Sequence, residues 1–326
     1  MNRWIHAGFA ALVLLLVLCL TALWPRPDDT GARPPLPPPS SGLPPAGTPT
    51  GAPTGAPAGT PSGPPSGTAT GTATPCASTP VQRLRVATLN VHGAIGPTGY
   101  DLPAMADEIR AWDADVVLLQ EVHRFRARSG LDDQPAELGR LLGMEVVFGG
   151  NFTRPAESDG TPRRESGTAT LSSRPILAWS NQLLPNFPGL QQRGLLHATI
   201  DLPGGAVDVY NTHFQHTRGV IRIVQARGVK RLVAESERPF LLGGDFNAES
   251  GSPAMQVIES FTADPWPLVG VGEGLTVPPR VPKRRIDFVL HGSDDWVPEQ
   301  AQVLASRIAD HRAVLVDYAL SRRVDC

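Results

Sequence analysis

Cysteine is scarce, with three in 326 residues, and this excludes a disulfide-built miniprotein. Charge of one sign is lacking as well, since 29 Lys and Arg face 31 Asp and Glu for a formal net charge of −2. A globally basic footprint, the usual mark of tight non-specific nucleic-acid binding, is therefore absent, although a local basic rim can still serve a nucleic-acid substrate. Charged residues at 18% and aromatics at 6% are both modest. Only one long apolar run exists, near the N-terminus, which excludes a multi-span membrane protein. No sustained heptad pattern supports a coiled coil.

Glycine and proline are abundant instead, at 33 and 34 residues, and they are concentrated. Between Pro25 and Pro80 the chain is almost entirely Pro, Gly, Thr, Ser and Ala, with an irregular Gly-x-Pro-x repeat from Gly47 to Pro57. Such a segment has too little aliphatic surface to offset the entropy of ordering its backbone. It reads as a spacer, part polyproline-like and part flexible. The expected organisation is a signal-anchor or signal peptide over residues 1–24, a linker over 25–79 and one domain over 80–326. That domain, of about 245 residues, is near the upper range for one hydrophobic core.

Residues 7–24 are apolar apart from Gly8 and Thr21, and Arg3 precedes them. The run is long for a signal-peptide core and just long enough to span a bilayer. Leu20-Thr21-Ala22 is a poor cleavage site, and Cys19 follows Leu18 rather than a small residue. The basic flank favours an N-terminus held inside, so the domain is expected outside the cytoplasm, membrane-anchored or secreted. In that setting Cys76 and Cys326, at the two ends of the domain, are expected to form a disulfide. Closing a loop of roughly 250 residues stabilises by up to about 5 kcal/mol in the chain-entropy view.

Short β-rich runs lie at residues 84–89, 116–119, 145–148, 169–171, 195–200, 207–210, 240–242, 286–290 and 313–316. Some alternate and some are continuously apolar, as inner strands of packed sheets should be. Three helical stripes are predicted: Met105, Ile109 and Trp112; Leu138, Leu141 and Leu142; and Ile221, Val224, Gly228 and Leu232. Strands outnumber helices, which predicts a layered α/β (α+β) sandwich with two sheets.

Polar residues recur at the strand ends. Residues 84–89 run into Asn90, 116–120 into Glu121, 207–212 into His213, and 240–244 into Asp245 and Asn247. Asp287 sits in Arg285-Ile286-Asp287-Phe288, near the start of one late run, and Asp310 and His311 precede another. Each alone is more often a turn, cap or core residue than a functional group. Asp287, for instance, has Arg284 and Arg285 as neighbours to pair with. Together, hard oxygen donors at converging strand ends suit Mg²⁺, with Mn²⁺ or Ca²⁺ as alternatives, better than Zn²⁺. Histidines among them supply acid or phosphate-binding groups.

In order, Val86-Ala87-Thr88-Leu89-Asn90-Val91-His92-Gly93, Asp115-Val116-Val117-Leu118-Leu119-Gln120-Glu121-Val122 and Gly167-Thr168-Ala169-Thr170-Leu171-Ser172-Ser173-Arg174-Pro175 are followed by Asn211-Thr212-His213. Gly243-Gly244-Asp245-Phe246-Asn247, Arg285-Ile286-Asp287-Phe288 and Ala309-Asp310-His311-Arg312-Ala313-Val314 complete the set. This series resembles the endonuclease/exonuclease/phosphatase superfamily of DNase I-like, metal-dependent phosphodiesterases. The resemblance covers residues 83–319. It implies a four-layer sandwich, with two face-to-face mixed β-sheets flanked by helices and a metal cleft at one edge. It implies Glu121 as the main metal ligand, with Asn90 and Asp310 nearby. Asp245 would orient or deprotonate the attacking water, and Asn247 would help hold it. His311 would contact the scissile phosphate, with Asp287 fixing its tautomer. His213 would be a second acid or phosphate ligand, and Arg174 a further phosphate contact.

The motifs define the reaction rather than the leaving group. The leading expectation is a nuclease. A phospholipid or sphingomyelin phosphodiesterase or a phosphomonoesterase of the same superfamily is the first alternative, and a catalytically silent binding domain on a stalk the second. Arg-rich stretches at 124–128, 163–164 and 283–285 are candidates for a rim that grips a phosphate backbone, or for solvated loop charges. Trp266 is a candidate for base stacking, lipid contact or simple loop packing. Nothing in the sequence calls for an obligate protein partner.

Overall fold

The computed structural model describes residues 82–292 and 295–320. The apolar N-terminal run, the spacer, Cys76 and Cys326 lie outside the described residues. Among the described residues no helix is long and apolar enough to cross a membrane.

Two large mixed sheets carry the structure. The first is six-stranded, in the order β12 (Trp296–Leu304), β13 (Ala313–Leu320), β1 (Gln82–Asn90), β4 (Val116–Arg124), β6 (Arg164–Ser172) and β5 (Glu145–Arg154). The second is five-stranded, in the order β11 (Asp287–His291), β10 (Phe240–Asp245), β9 (Val207–His213), β8 (Gly194–Ile200) and β7 (Ile176–Leu183). β2 (Ile95–Gly96) and β3 (Gly99–Tyr100) form a small separate hairpin. β1 runs parallel to β4 and β9 parallel to β10, and the other pairs within the large sheets are antiparallel.

The strands are apolar on both faces because both faces are covered. Leu84, Val86, Val116 and Leu118 meet Leu196, Val207, Val209, Leu241 and Val289 of the other sheet. On the outer face of the first sheet, Ala87, Leu89, Val117 and Leu119 pack with Met105 and Ile109 of α1 (Leu102–Ala111) and Leu138 of α2 (Gln134–Leu142). On the outer face of the second, Leu195, Leu242 and Phe288 pack with α3 (Gly219–Val233) and α4 (Pro253–Glu259). The result is the four-layer sandwich expected from the sequence. Each fully buried aliphatic in it contributes about 1.5–3 kcal/mol.

Local signals place the helices. Asp101 caps α1 by accepting from Ala104 N at 2.9 Å, and Asp133 caps α2 by accepting from Ala136 N at 3.4 Å. Proline follows each cap inside the first turn. The stripe expected on α3 is rotated. Its buried face is Ile221, Gln225, Ala226, Gly228, Val229 and Val233, while Val224 and Leu232 are only partly covered. The cause is Gln225, which is buried because its amide accepts from Gln215 N and donates to Pro185 O.

All nine sequence-predicted strands are present. The missed strands β7 and β12 lie at sheet edges, where polar residues such as Asn181, Gln182, Glu299 and Gln302 break the apolar pattern.

Candidate active site

Topology gathers the polar strand ends. Parallel pairing places Asn90 beside Gln120 in the first sheet and His213 beside Asp245 in the second. Antiparallel strands enter where these end. Asp287 opens β11 opposite Asp245, and His311 precedes β13, whose Val314 pairs with Thr88 of β1.

The two sheets are joined here by buried amides. Gln120 donates to Asn211 Oδ1 at 2.8 Å, and Asn211 Nδ2 donates to the carbonyls of Leu119 and Ala169 at 3.1 and 2.9 Å. Asn90 Nδ2 then bridges the sheets by donating to Asp245 Oδ2 at 3.1 Å. These buried bonds fix the spacing of the layers at the site, with Gln120 Oε1 left without a partner.

A bulge aims Glu121. Leu119 pairs with Ala169 and Val122 with Gly167, leaving one extra residue in β4 between them. Leu119 and Val122 both face the helices, so Gln120 and Glu121 turn together toward the second sheet. Glu121 takes the left-handed conformation, φ 54°, and Asn247 does so at φ 50°. Such backbone costs about 1–3 kcal/mol and is characteristic of functional positions.

Asp245 is the hub. Its Oδ1 accepts from Asn247 N at 2.8 Å, while Oδ2 lies 3.4 Å from His213 Nε2 and 3.8 Å from His311 Nε2. Asn247 Nδ2 is tied to Phe214 O at 3.1 Å. Burial, and then the nearby Asp287 carboxylate, push the Asp245 carboxyl up to about 7. Asp287 is fully buried and receives His311 Nδ1 at 2.9 and 3.0 Å. Burial pulls the His311 imidazole down, but Asp287, with Asp245 and Asp310, outweighs it and holds the ring at about 10. The site thus pairs a basic carboxylate with a protonated histidine.

The Gly-Gly before Asp245 is a packing requirement. Gly244 has φ 141°, and a Cβ there would lie 1.9 Å from Thr212 O of the adjacent strand. Gly244→Ala is expected to destabilise by about 3 kcal/mol or more, visible as a large fall in calorimetric Tm. An unchanged Tm would contradict this packing.

Asn90, Glu121, His213, Asp245, Asn247, Asp287 and His311 share one end of the sandwich. Asp310 stands at its margin, with a side chain 56% exposed and an oxygen 3.7 Å from His92 Nδ1. Arg174 does not join them. It follows β6, which runs antiparallel to β4, so it bonds Asp115 at 3.2 Å at the opposite end of β4 from Glu121. Arg285 is not a rim residue either, because both of its terminal nitrogens hold Asp264 at 2.7 Å and its guanidinium stacks on Trp266. Trp266 is buried and donates to Gly272 O, so it packs the loop. Asp287 pairs with His311 rather than with either neighbouring arginine.

A hard cation fits beside Asn90 and Glu121. The Glu121 carboxylate is only partly covered and, among the described residues, has no ion-pair partner within 4 Å. Asn90 Nδ2 donates to it at 3.5 Å while Asn90 Oδ1 accepts from His92 N, so Asn90 would have to turn its amide over to offer an oxygen to the cation. Its surroundings offer oxygen donors and no thiolate. Asp245, Asp287 and His311 also bring ligand-type atoms within 4.8 Å of one another, but His311 Nδ1 is already committed to Asp287.

One group, Arg193, escaped the sequence reading, and a second belongs to the Arg-rich stretch 124–128 named there. Arg193, 4% exposed, donates to His213 Nδ1 at 3.0 Å. Near Glu121, Arg128 Nη2 donates to His123 Nε2 at 2.9 Å, with Arg126 Nη1 3.5 Å from the same nitrogen. Burial, then Arg128 and Arg126, hold the fully buried His123 down at about 3, so it is neutral. Arg193 stands just before β8, in a stretch with no strand-end acid and no family motif to mark it.

A model of the Endonuclease/Exonuclease/phosphatase family matches residues 87–311. The chain belongs to this family. The uncharacterized protein YbhP of Escherichia coli (strain K12) is 29% identical over 178 residues, covering 50% of this chain and 66% of that protein. The match therefore spans just under two thirds of that relative's length. The crystal structure of an endonuclease/exonuclease/phosphatase from Beutenbergia cavernae DSM 12333 aligns with TM-score 0.60 at 29% identity, covering 73% of this chain and 72% of that one. The mannosyl-6-phosphatase Bt3783 of Bacteroides thetaiotaomicron VPI-5482 aligns with TM-score 0.57 at 16% identity, over 72% of this chain and 99% of that one, and shares the fold. Members of the Endonuclease/Exonuclease/phosphatase family are phosphoric ester hydrolases.

Proposed function

We propose that the protein is a Mg²⁺-dependent phosphodiesterase that cleaves nucleic acid by in-line attack of water. Glu121, with Asn90 and Asp310, would hold the cation, which would neutralise charge on the phosphate. Asp245 takes a proton from the attacking water as its oxygen bonds to phosphorus. His311 Nε2 gives a proton to the departing ester oxygen as that P–O bond breaks. Asp287 keeps the His311 ring oriented, and Asn247 fixes the Asp245 carboxylate through its backbone N–H.

The observation that carries the nucleic-acid reading is the arginine cluster next to Glu121. Burial, then the charges of Arg128 and Arg164, lower Arg126, with Glu157 and Glu121 offsetting only part of this. The Nε atoms of Arg126 and Arg164 are buried without hydrogen-bond partners. Cations gathered at such a cost beside the reaction centre suit a second phosphate of an extended substrate. A small phosphomonoester has no group to fill them.

The full-length protein assayed on plasmid DNA, p-nitrophenyl phosphate and sphingomyelin, with Mg²⁺ and with EDTA, tests this. Chelator-sensitive DNA cleavage is expected to dominate. Preference for either other substrate, or indifference to chelation, would overturn the reading. The double variant Arg126→Gln/Arg128→Gln should raise KM for DNA about tenfold and flatten its salt dependence by about two phosphate contacts. Hydrolysis of bis(p-nitrophenyl) phosphate, which has a single phosphate, should be unaltered.

The apolar run at residues 7–24 and the spacer after it support action outside the cytoplasm, on a membrane tether or after secretion. A Cys76–Cys326 disulfide closing the domain fits the same setting.

A further inference from the structure

Two histidines approach Asp245, and their other ring nitrogens have opposite partners. His311 Nδ1 lies 2.9 Å from an Asp287 oxygen, which can only accept, so this nitrogen carries a proton. His213 Nδ1 lies 3.0 Å from Arg193 Nη1, which can only donate, so this nitrogen presents a lone pair. In a neutral ring the His213 proton is then on Nε2, the atom 3.4 Å from Asp245 Oδ2.

Arg193 is built to hold this arrangement. It stands just before β8, and its carbonyl is pinned by Leu184 N at 2.9 Å and by the Gln192 amide at 2.8 Å. Its Nε is buried with no partner. Its charge faces both Glu121 and Asp245. The groups facing His213 are Arg193, His311 and His216 on the cationic side and Asp245 on the anionic side. A second proton on the ring would set an N–H against the guanidinium in a closed environment.

We propose that Arg193 is a positioning residue that locks His213 as the neutral tautomer with its proton on Nε2, so that this single N–H is a fixed donor aimed at the phosphate beside Asp245. His311 is then the one histidine of the pair that delivers a proton. The catalytic consequence rests on the phosphoester-hydrolase reading of the site. The tautomer itself does not. Burial, and then Arg193, also hold the His213 imidazole well below its ordinary value, in keeping with the geometry. Environments that drive two histidines of one cleft apart assign them different tasks.

The test is nitrogen NMR of the full-length protein labelled with ¹⁵N-histidine, without substrate or metal. The His213 signals are assigned by their loss in His213→Gln. The expected spectrum shows Nε2 protonated, Nδ1 bare and no titration between about pH 5 and about pH 8. In Arg193→Met the ring should titrate inside that window and populate both tautomers. Its kcat should fall on the order of 10²-fold with KM little changed. Arg193→Lys, which also only donates, should restore the tautomer and most of kcat. A wild-type proton on Nδ1, or wild-type titration in the window, overturns the proposal even if Arg193→Met does not fold. A kcat loss in Arg193→Met with an unaltered ring spectrum overturns it as well. Failure of DNA cleavage would sink the nuclease reading and leave this readout intact.

Discussion

Asp245→Ala and His311→Ala are each expected to lower kcat on the order of 10²- to 10⁴-fold, with the double variant little worse than the weaker single one. The expectation follows from how the two groups are coupled. Asp245 is held basic by burial and by Asp287, and His311 is held protonated chiefly by the same Asp287. Removing either leaves the other without its counterpart in the proton exchange, so the losses overlap instead of adding. The same pair shapes the pH profile of kcat/KM. The rate should rise as pH climbs through about 7, where Asp245 ionises, and fall through about 10, where His311 loses its proton. A bell with an alkaline maximum is therefore expected, and Asp245→Ala should erase its acid limb. Near-normal turnover in both single variants would remove these residues from the reaction while leaving the fold untouched.

Strand ends made much of the site legible. Apolar runs that stop at Asn90, Glu121, His213 and Asp245 are visible without coordinates, and parallel pairing of β1 with β4 and β9 with β10 sends those stops to the same side. Arg174, which the resemblance rather than a strand end suggested, lies elsewhere. It follows β6, which runs antiparallel to β4 and so delivers it to the far edge. Strand direction is a property of the tertiary pairing, and no single strand's composition encodes it. Arg193 was invisible for a related reason. It precedes a strand, in Gln191-Gln192-Arg193-Gly194, and only the fold brings it to His213. The edge strands β7 and β12 were missed because half of their surface faces water, which removes the apolar pattern that marks inner strands. On α3 a buried glutamine replaced an aliphatic, so periodicity pointed to the wrong stripe.

Glu121→Gln is the substitution that isolates the cation from the proton-handling pair. The amide has the size of the carboxylate and keeps the bulge that turns residue 121 toward the second sheet. The variant should therefore fold with a Tm near that of wild type. What it removes is the formal charge at a half-buried position that the Arg126 and Arg193 charges face without, among the described residues, a direct ion pair. Calorimetric Mg²⁺ affinity should weaken tenfold or more, by analogy with the roughly 10- to 100-fold losses seen when partners of metal ligands are removed. At fixed Mg²⁺, kcat/KM should fall about 10²-fold, and raising Mg²⁺ should recover part of the loss. That recovery separates a ligand from a general base, because added cation cannot replace a missing proton acceptor. Asp245→Ala offers the control, with activity lost and not restored by Mg²⁺. If Glu121→Gln bound Mg²⁺ normally and hydrolysed DNA at the wild-type rate, the cation would have to sit elsewhere. Asp245, Asp287 and His311 would then be the next ligand set to test, and the strain stored at φ 54° would have no functional account.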